Sequence, residues 1–189
     1  PAIKGNTRIG HSDKLITEAC EYTNSFLSFK PTVAIILNVA ADHLDFFKDL
    51  DDIRHSFREY ARLVPDDGAL IINSDIDNIE YFTEGLKCSV ITVGSDPNKS
   101  MYSAANITFD EFARGSYDLV VNGEIKDHIT LKVTGKHNIY NSLASIAAAH
   151  FMGISNKDIK TGLMAYEGTD RRFQLKGKLG DITIIDDYA

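Results

Sequence analysis

Val33-Ala34-Ile35-Ile36-Leu37-Asn38 is a short, continuously apolar run rich in β-branched residues, followed at once by Val39-Ala40-Ala41-Asp42-His43-Leu44-Asp45. Its length and its lack of polar alternation indicate a strand covered on both faces, as in parallel sheets. Downstream, residues 49–64 carry apolar side chains at Leu50, Ile53, Phe57, Tyr60, Ala61 and Val64, a helical stripe that opens on acidic residues. Pro65-Asp66-Asp67-Gly68 is a turn, residues 69–73 a second buried strand, 75–84 a helix and 89–93 a third strand. Upstream, residues 1–11 read as loop and 14–19 as a further strand. The alternation predicts an α/β fold, a mostly parallel sheet flanked by helices.

The pattern changes after residue 100. Segments 105–109, 117–121 and 128–133 read as strands, with Val121-Asn122-Gly123-Glu124 a strong hairpin signal. They predict a small antiparallel β subsheet beside the main one. Helices return at 138–152 and 156–166, and strands at 173–177 and 181–185. The chain then reaches Asp186-Asp187-Tyr188-Ala189, and a strand running into a carboxylate pair leads into a functional loop. Both ends read as cut from something longer.

A chain of 189 residues, 43% hydrophobic, suits one mid-sized domain with a sizeable core. Its 27 acidic against 20 basic residues argue against a nucleic-acid partner. Apolar runs are too short to span a bilayer, and no basic-then-apolar leader occurs, so a membrane partner is not expected and a cytoplasmic location is. Cys20 and Cys88 form no CxxC pair and are expected as buried, reduced thiols.

Four stretches carry chemistry. Asp42, His43 and Asp45 follow a buried parallel strand, where ligands gather in open α/β sheets, and offer oxygen and imidazole to a divalent metal. The same spacing also suits a helix cap beside a surface histidine. Thr17-Glu18-Ala19-Cys20-Glu21-Tyr22 ends the preceding predicted strand. Glu18 and His43 would then reach one ion above neighbouring strand tips, although Glu18 read alone is more often a solvated strand-end charge. Thr134-Gly135-Lys136-His137-Asn138-Ile139-Tyr140-Asn141 turns into an alanine-rich helix, with Asn138 either an N-cap or, with Asn141 and His137, a contact for a purine edge. Gly168-Thr169-Asp170-Arg171-Arg172-Phe173 places two arginines after a glycine turn, able to fork onto phosphate oxygens or simply exposed.

In this order, EACEYTNSFL, ILNVAADHLDFF, GKHNIYNSLASIAAA, EGTDRRF and IDDYA resemble the Mur ligases of peptidoglycan synthesis, most nearly their alanine-adding branch. The resemblance covers essentially the whole chain. It implies most of a central ATP-binding domain at residues 1–185, with 186–189 starting the linker to a C-terminal domain. N- and C-terminal domains of the same enzyme would lie outside this chain. It further implies an ATP-dependent carboxylate–amine ligase that joins L-alanine to UDP-N-acetylmuramate through an acyl phosphate. Carried over by motif, Glu18 and His43 would ligate Mg2+ (or Mn2+), and Arg172 would stabilise the transferring phosphoryl group with Arg171 assisting. Asn138, Asn141 and His137 would receive the adenine of ATP, Asp187 would face the ribose, and Asn6 would lie near the nucleotide.

Two departures stand out. No GxxxxGK[ST] loop occurs in these residues, so this polypeptide alone is expected to be inactive. Several sister ligases carry a carbamylated lysine downstream of the histidine, and here Arg58 sits roughly at that position, as in the alanine-adding branch. Three other readings stay open. They are a relative that recycles murein tripeptide, a metal-dependent phosphohydrolase using Asp42, His43 and Asp45, and a non-catalytic nucleotide-binding remnant.

Overall fold

The computed structural model describes residue 7 and residues 9–188. Three parallel strands, β1 (Val33–Ile36), β2 (Ala69–Asn73) and β3 (Ser89–Gly94), pair in register, Ile35 beside Ile71 beside Ile91. Alternate side chains of β2 enter two different cores. Ala69 and Ile71 face helix α3 (Lys136–Phe151), whereas Leu70 and Ile72 face helix α1 (Leu50–Ala61). All four are fully buried, and each such isoleucine or leucine contributes about 1.5–3 kcal/mol.

α3 is long, alanine-rich and buried through Ile139, Leu143, Ile146 and Ala147. Small side chains let it lie close against the sheet. Its start differs from the expected residue 138, because Gly135 occupies the cap position at φ +93°. The positive φ favours glycine there, and a Cβ would also force the exposed His137 ring, 2.6 Å away, to swing aside.

Strands β4 (Tyr102–Phe109), β5 (Arg114–Val121) and β6 (Glu124–Thr134) are antiparallel to one another. They form the expected antiparallel part, appended directly to the parallel strands. Val93 and Gly94 of β3 pair with Tyr102 and Ser103, which joins all six strands in the order β1-β2-β3-β4-β5-β6. The Asn122-Gly123 turn has positive φ at both residues (52° and 79°), the geometry that hairpin twist requires. The detached antiparallel pair is instead β7 (Gln174–Leu179) with β8 (Ile182–Asp186).

Two other expectations fail. Residues 14–19 form no strand. Leu15 and Ile16 are 86% exposed, and β1, the neighbour such a strand needs, pairs only with β2 among the described residues. Cys20, at the end of this stretch, is therefore exposed, although Cys88 is buried as expected. The helix expected over 75–84 shrinks to α2 (Glu80–Thr83). Asn73 Oδ1 accepts from the Asp75 N–H at 2.9 Å and Asn78 takes φ +51°, two local alternatives that compete with helix initiation.

α1 opens as its sequence demands. The Asp49 carboxylate accepts from the Asp52 N–H at 3.0 Å, and Asp51 and Asp52 complement the helix dipole. Asp49→Ala is expected to cost about 1 kcal/mol in urea unfolding, with no change in the slope against denaturant. α4 (Asn156–Ala165) uses Ser155 in the same way.

Candidate functional site

The segment after β1 is held at both ends. Asn73 Nδ2, at the tip of β2, donates to the Leu37 carbonyl at 3.0 Å, and Phe47 is buried to 2% exposure. Between these anchors His43 adopts φ +51°, and its carbonyl accepts from the N–H groups of Phe46 and Phe47, both at 2.9 Å. A non-glycine residue in the left-handed region is uncommon, histidine being one of the types that enter it more readily, and such residues cluster at functional positions. The turn lifts Asp42 and His43 above the carboxyl end of the parallel sheet.

A second segment meets them there. Residues 22–28 form a 3₁₀ turn with Thr23 and Asn24 in left-handed conformation, and Phe26 plugs it into the core, stacked on Tyr60 at 4.7 Å. Glu21 immediately precedes this turn. Glu21 Oε1 lies 3.9 Å from His43 Nε2, and Asp42 Oδ1 lies 4.0 Å from His43 Nδ1. One ligand atom from each of Glu21, Asp42 and His43 falls within 4.8 Å of the others. Glu21 and Asp42 also line a cleft of about 170 Å³ with Asn38, Ala40, Ile53 and Phe57. Two carboxylates and one imidazole, part-exposed and with space beside them, make a donor set suited to Mg2+ or Mn2+ with open positions for other ligands.

Of the expected ligands, His43 and Asp42 stand in this group. Glu18 is exposed and outside it, since the strand that was to carry Glu18 to a neighbouring tip does not form. Glu21, three residues on and not singled out from the sequence, is the carboxylate that lies beside His43. The available signal was the apolar Phe26 following two turn-forming residues, which buries the chain just beyond Glu21. Asp45 is engaged elsewhere, accepting from the Tyr22 hydroxyl at 2.8 Å, and that hydrogen bond, with the carboxylate's charge, raises the Tyr22 phenol above its ordinary value. Arg58 packs over the Tyr81 ring at 4.6 Å, with Glu84 3.7 Å away, rather than in the group.

The other expected residues lie on other elements. β6 runs in the direction of β1–β3, so its Thr134 end points the same way as the loop bearing His43. Asn138 is not the cap of α3. Its Nδ2 donates to the Thr134 carbonyl at 2.7 Å, and its Oδ1 accepts from Asn141 at 3.2 Å. His137 and Asn141 are exposed. Arg171 and Arg172 are exposed on a loop closed by the Tyr188 N–H on the Arg171 carbonyl at 2.7 Å. Asp187 accepts from the Phe173 N–H at 3.1 Å, tying that loop to the end of β8. Asn6 lies outside the described residues. No helix among the described residues is long and apolar enough to cross a membrane.

The family model for the Mur ligase middle domain matches residues 7–149. The chain is 58% identical over 188 residues to the UDP-N-acetylmuramate–L-alanine ligase of Lachnospira eligens, covering all of this chain and 41% of that protein. It is 44% identical to the enzyme of the same name from Caldanaerobacter subterraneus subsp. tengcongensis, with the same coverage. Among solved structures it superposes on the UDP-N-acetylmuramate–alanine ligase of Thermotoga maritima with TM-score 0.73 and 25% identity, over 88% of this chain and 36% of that one. MurF from Acinetobacter baumannii superposes with TM-score 0.74 and 25% identity, over 87% and 35%. The chain thus spans about two fifths of the length of the curated relatives it matches.

Proposed function

The chain belongs to the Mur ligase family through its middle domain, and on that premise we propose that it is the central ATP-handling segment of a UDP-N-acetylmuramate–L-alanine ligase. Residues 1–185 would form that segment, and 186–189 would lead into a C-terminal domain. The observation that carries the reading is the convergence of Glu21, Asp42 and His43 above the sheet. The names of relatives at 44–58% identity support the substrates, UDP-N-acetylmuramate and L-alanine, and a cytoplasmic location goes with that reading.

The reaction transfers the γ-phosphoryl group of ATP to the muramoyl carboxylate, giving ADP and an acyl phosphate. The alanine amine then attacks the acyl carbon, and inorganic phosphate departs with the carbon–oxygen bond pair. Bound Mg2+ supplies charge neutralisation between two anions that must approach each other. Glu21, Asp42 and His43 would hold it, His43 as the neutral imidazole. Arg172, exposed beside the domain's C-terminal hairpin, would fork onto phosphoryl oxygens. Asn141 keeps its side-chain carbonyl without a hydrogen bond among the described residues, free for the amino group of an adenine. Asn138 orients it from below, with His137 alongside.

The test is a graft. Installed in place of the matching segment of the Lachnospira eligens relative, this chain is expected to sustain ATP-dependent joining of L-alanine to UDP-N-acetylmuramate, and the His43→Ala graft is not. The 189-residue polypeptide alone is expected to give no turnover, because it holds no phosphate-cradling GxxxxGK[ST] loop. A folded graft without alanine ligation, or turnover by the isolated chain, would contradict the reading.

A further inference from the structure

The apolar side of α4 does not reach the core. Ile159 and Leu163 are partly buried against it, and no residue of the helix is fully buried. Beneath α4 lies a cavity of about 280 Å³, walled by Leu119 and Val121 of β5, Ile129 of β6, Ile146 of α3 and Ile159 of α4 itself. A concave, mostly aliphatic space edged by a few polar groups has the make-up of a small-molecule site.

The rim carries Lys126, Asp127, His150, Asn156 and Lys160. Lys160 Nζ donates to Asp127 Oδ1 at 2.7 Å, bridging α4 to β6, and that bond holds the Asp127 carboxyl below its usual range. The same oxygen accepts from the His128 N–H at 2.7 Å, which leaves Asp127 Oδ2 without a hydrogen bond among the described residues. Lys126 is paired with Glu124. His150 is satisfied on both nitrogens: Nε2 donates to Asn156 Oδ1 at 2.7 Å, and Nδ1 accepts from the Tyr102 hydroxyl at 3.0 Å. The amide protons of Asn156 have no acceptor among the described residues. Above an aliphatic floor, the rim thus offers ammonium and amide N–H groups to an anion and an ionised carboxylate to a cation.

We infer that this cavity binds a free α-amino acid with a branched aliphatic side chain of leucine's size. Lys160 and the Asn156 amide would take its carboxylate, Asp127 its ammonium group, and the aliphatic walls its side chain. A zwitterion matches the opposed charges, whereas a plain aliphatic acid would face Asp127 and a plain amine would face Lys160. Entry separates the Lys160–Asp127 pair, a part-exposed ion pair of the kind that contributes little, and each partner gains an opposite charge in return. Alanine's methyl group would leave most of the aliphatic wall untouched. The cavity stands apart from the residues assigned above. β6 lies five strand steps from β1, about 24 Å across the sheet, and His150 lies about 18 Å along α3 from Asn138. The inference therefore does not depend on the ligase reading.

The test is a heteronuclear NMR titration of the backbone amides of the 189-residue protein, alongside thermal unfolding of each variant. L-Leucine is expected to saturate at millimolar concentration, the affinity open to so small a ligand. It is expected to shift the amides of Asp127, His150, Asn156 and Lys160 and to leave those of Asp42 and His43 in place. L-Alanine is expected to bind about 50-fold more weakly, at about fourfold for each methylene not buried. Isocaproate, the leucine skeleton without its amine, is expected to bind about tenfold more weakly, the loss that goes with one charged hydrogen bond. Asp127→Asn is expected to weaken leucine about tenfold and to leave isocaproate unchanged or tighter, whereas Lys160→Met weakens both about tenfold. Melting temperatures are expected to stay level across the series.

Saturable shifts absent from the cavity amides would overturn the inference. So would isocaproate binding as tightly as leucine, or Asp127→Asn weakening both ligands alike. Leucine affinity lost in Lys160→Met only in step with melting temperature would overturn it in favour of an ion pair that merely fastens α4 to β6.

Discussion

Glu21→Ala is expected to abolish Mn2+ binding and to reduce alanine ligation by the graft about a thousandfold, whereas Glu18→Ala leaves both unchanged. The size follows from the chemistry assigned to the cation. Charge neutralisation during phosphoryl transfer is worth several kcal/mol, and about 4 kcal/mol corresponds to three powers of ten in rate. The contrast between two glutamates three residues apart follows from geometry. Glu21 lies 3.9 Å from His43 and is part-buried, while Glu18 is exposed on a stretch without strand pairing. Loss of activity in Glu18→Ala with Glu21→Ala active would reverse the assignment.

Tyr117 carries the other large effect. It is among the largest fully buried side chains, its hydroxyl 2.6 Å from Ser142 Oγ, which also donates to the Ile139 carbonyl at 2.6 Å. Tyr117→Ala removes a packed ring between β5 and α3 and is expected to cost about 3–5 kcal/mol. Tyr117→Phe keeps the ring, leaves Ser142 bonded to Ile139 and is expected to cost about 1 kcal/mol at neutral pH.

The two variants also separate at high pH. Burial pushes the Tyr117 phenol from 10.0 up to about 12, with the Ser142 hydrogen bond opposing. Below pH 10 the phenol is protonated in folded and unfolded chains alike, and its full contribution is present. Above that the unfolded chain ionises first, so stability falls as pH rises towards 12, by about 3 kcal/mol in total. Urea titrations at neutral pH and near pH 11.5 are expected to show a markedly smaller loss in Tyr117→Phe than in the parent. Some loss remains, because burial raises Tyr60 and Tyr102 in the same direction. Equal losses in parent and variant would show that Tyr117 does not set the alkaline limit.

Much of the sheet is written in local pattern. ALIIN is a continuous apolar run because both faces are covered, whereas VAIILN leaves Ile35 and Leu37 40% exposed on one face, and Asn122-Gly123 is a hairpin because both residues accept positive φ. The joining of β4 to β3 is not written there, since it depends on only two residue pairs, Val93 with Tyr102 and Gly94 with Ser103. Nor is the short α2, where Asn73 and Asn78 divert a segment with helical spacing.

At the site, the Asp42-His43 turn was legible because it follows a buried parallel strand. Its partner was not. An apolar pair at Leu15 and Ile16 suggested a strand ending at Glu18, but nothing among the described residues pairs with it. The chain is committed instead by Phe26, 1% exposed between Tyr60 and Phe57, and that anchor brings Glu21 rather than Glu18 to the histidine. A tertiary contact made by one aromatic residue decides which of two glutamates lies beside the histidine.

The central claim is that Glu21, Asp42 and His43 share one divalent cation. Anomalous diffraction from Mn2+-soaked crystals tests it most directly. The account predicts a single strong peak bounded by Glu21 Oε1, Asp42 Oδ1 and a His43 ring nitrogen, at coordination distances of about 2.0–2.3 Å. A peak beside Glu18, or one that leaves His43 uncoordinated, would contradict it.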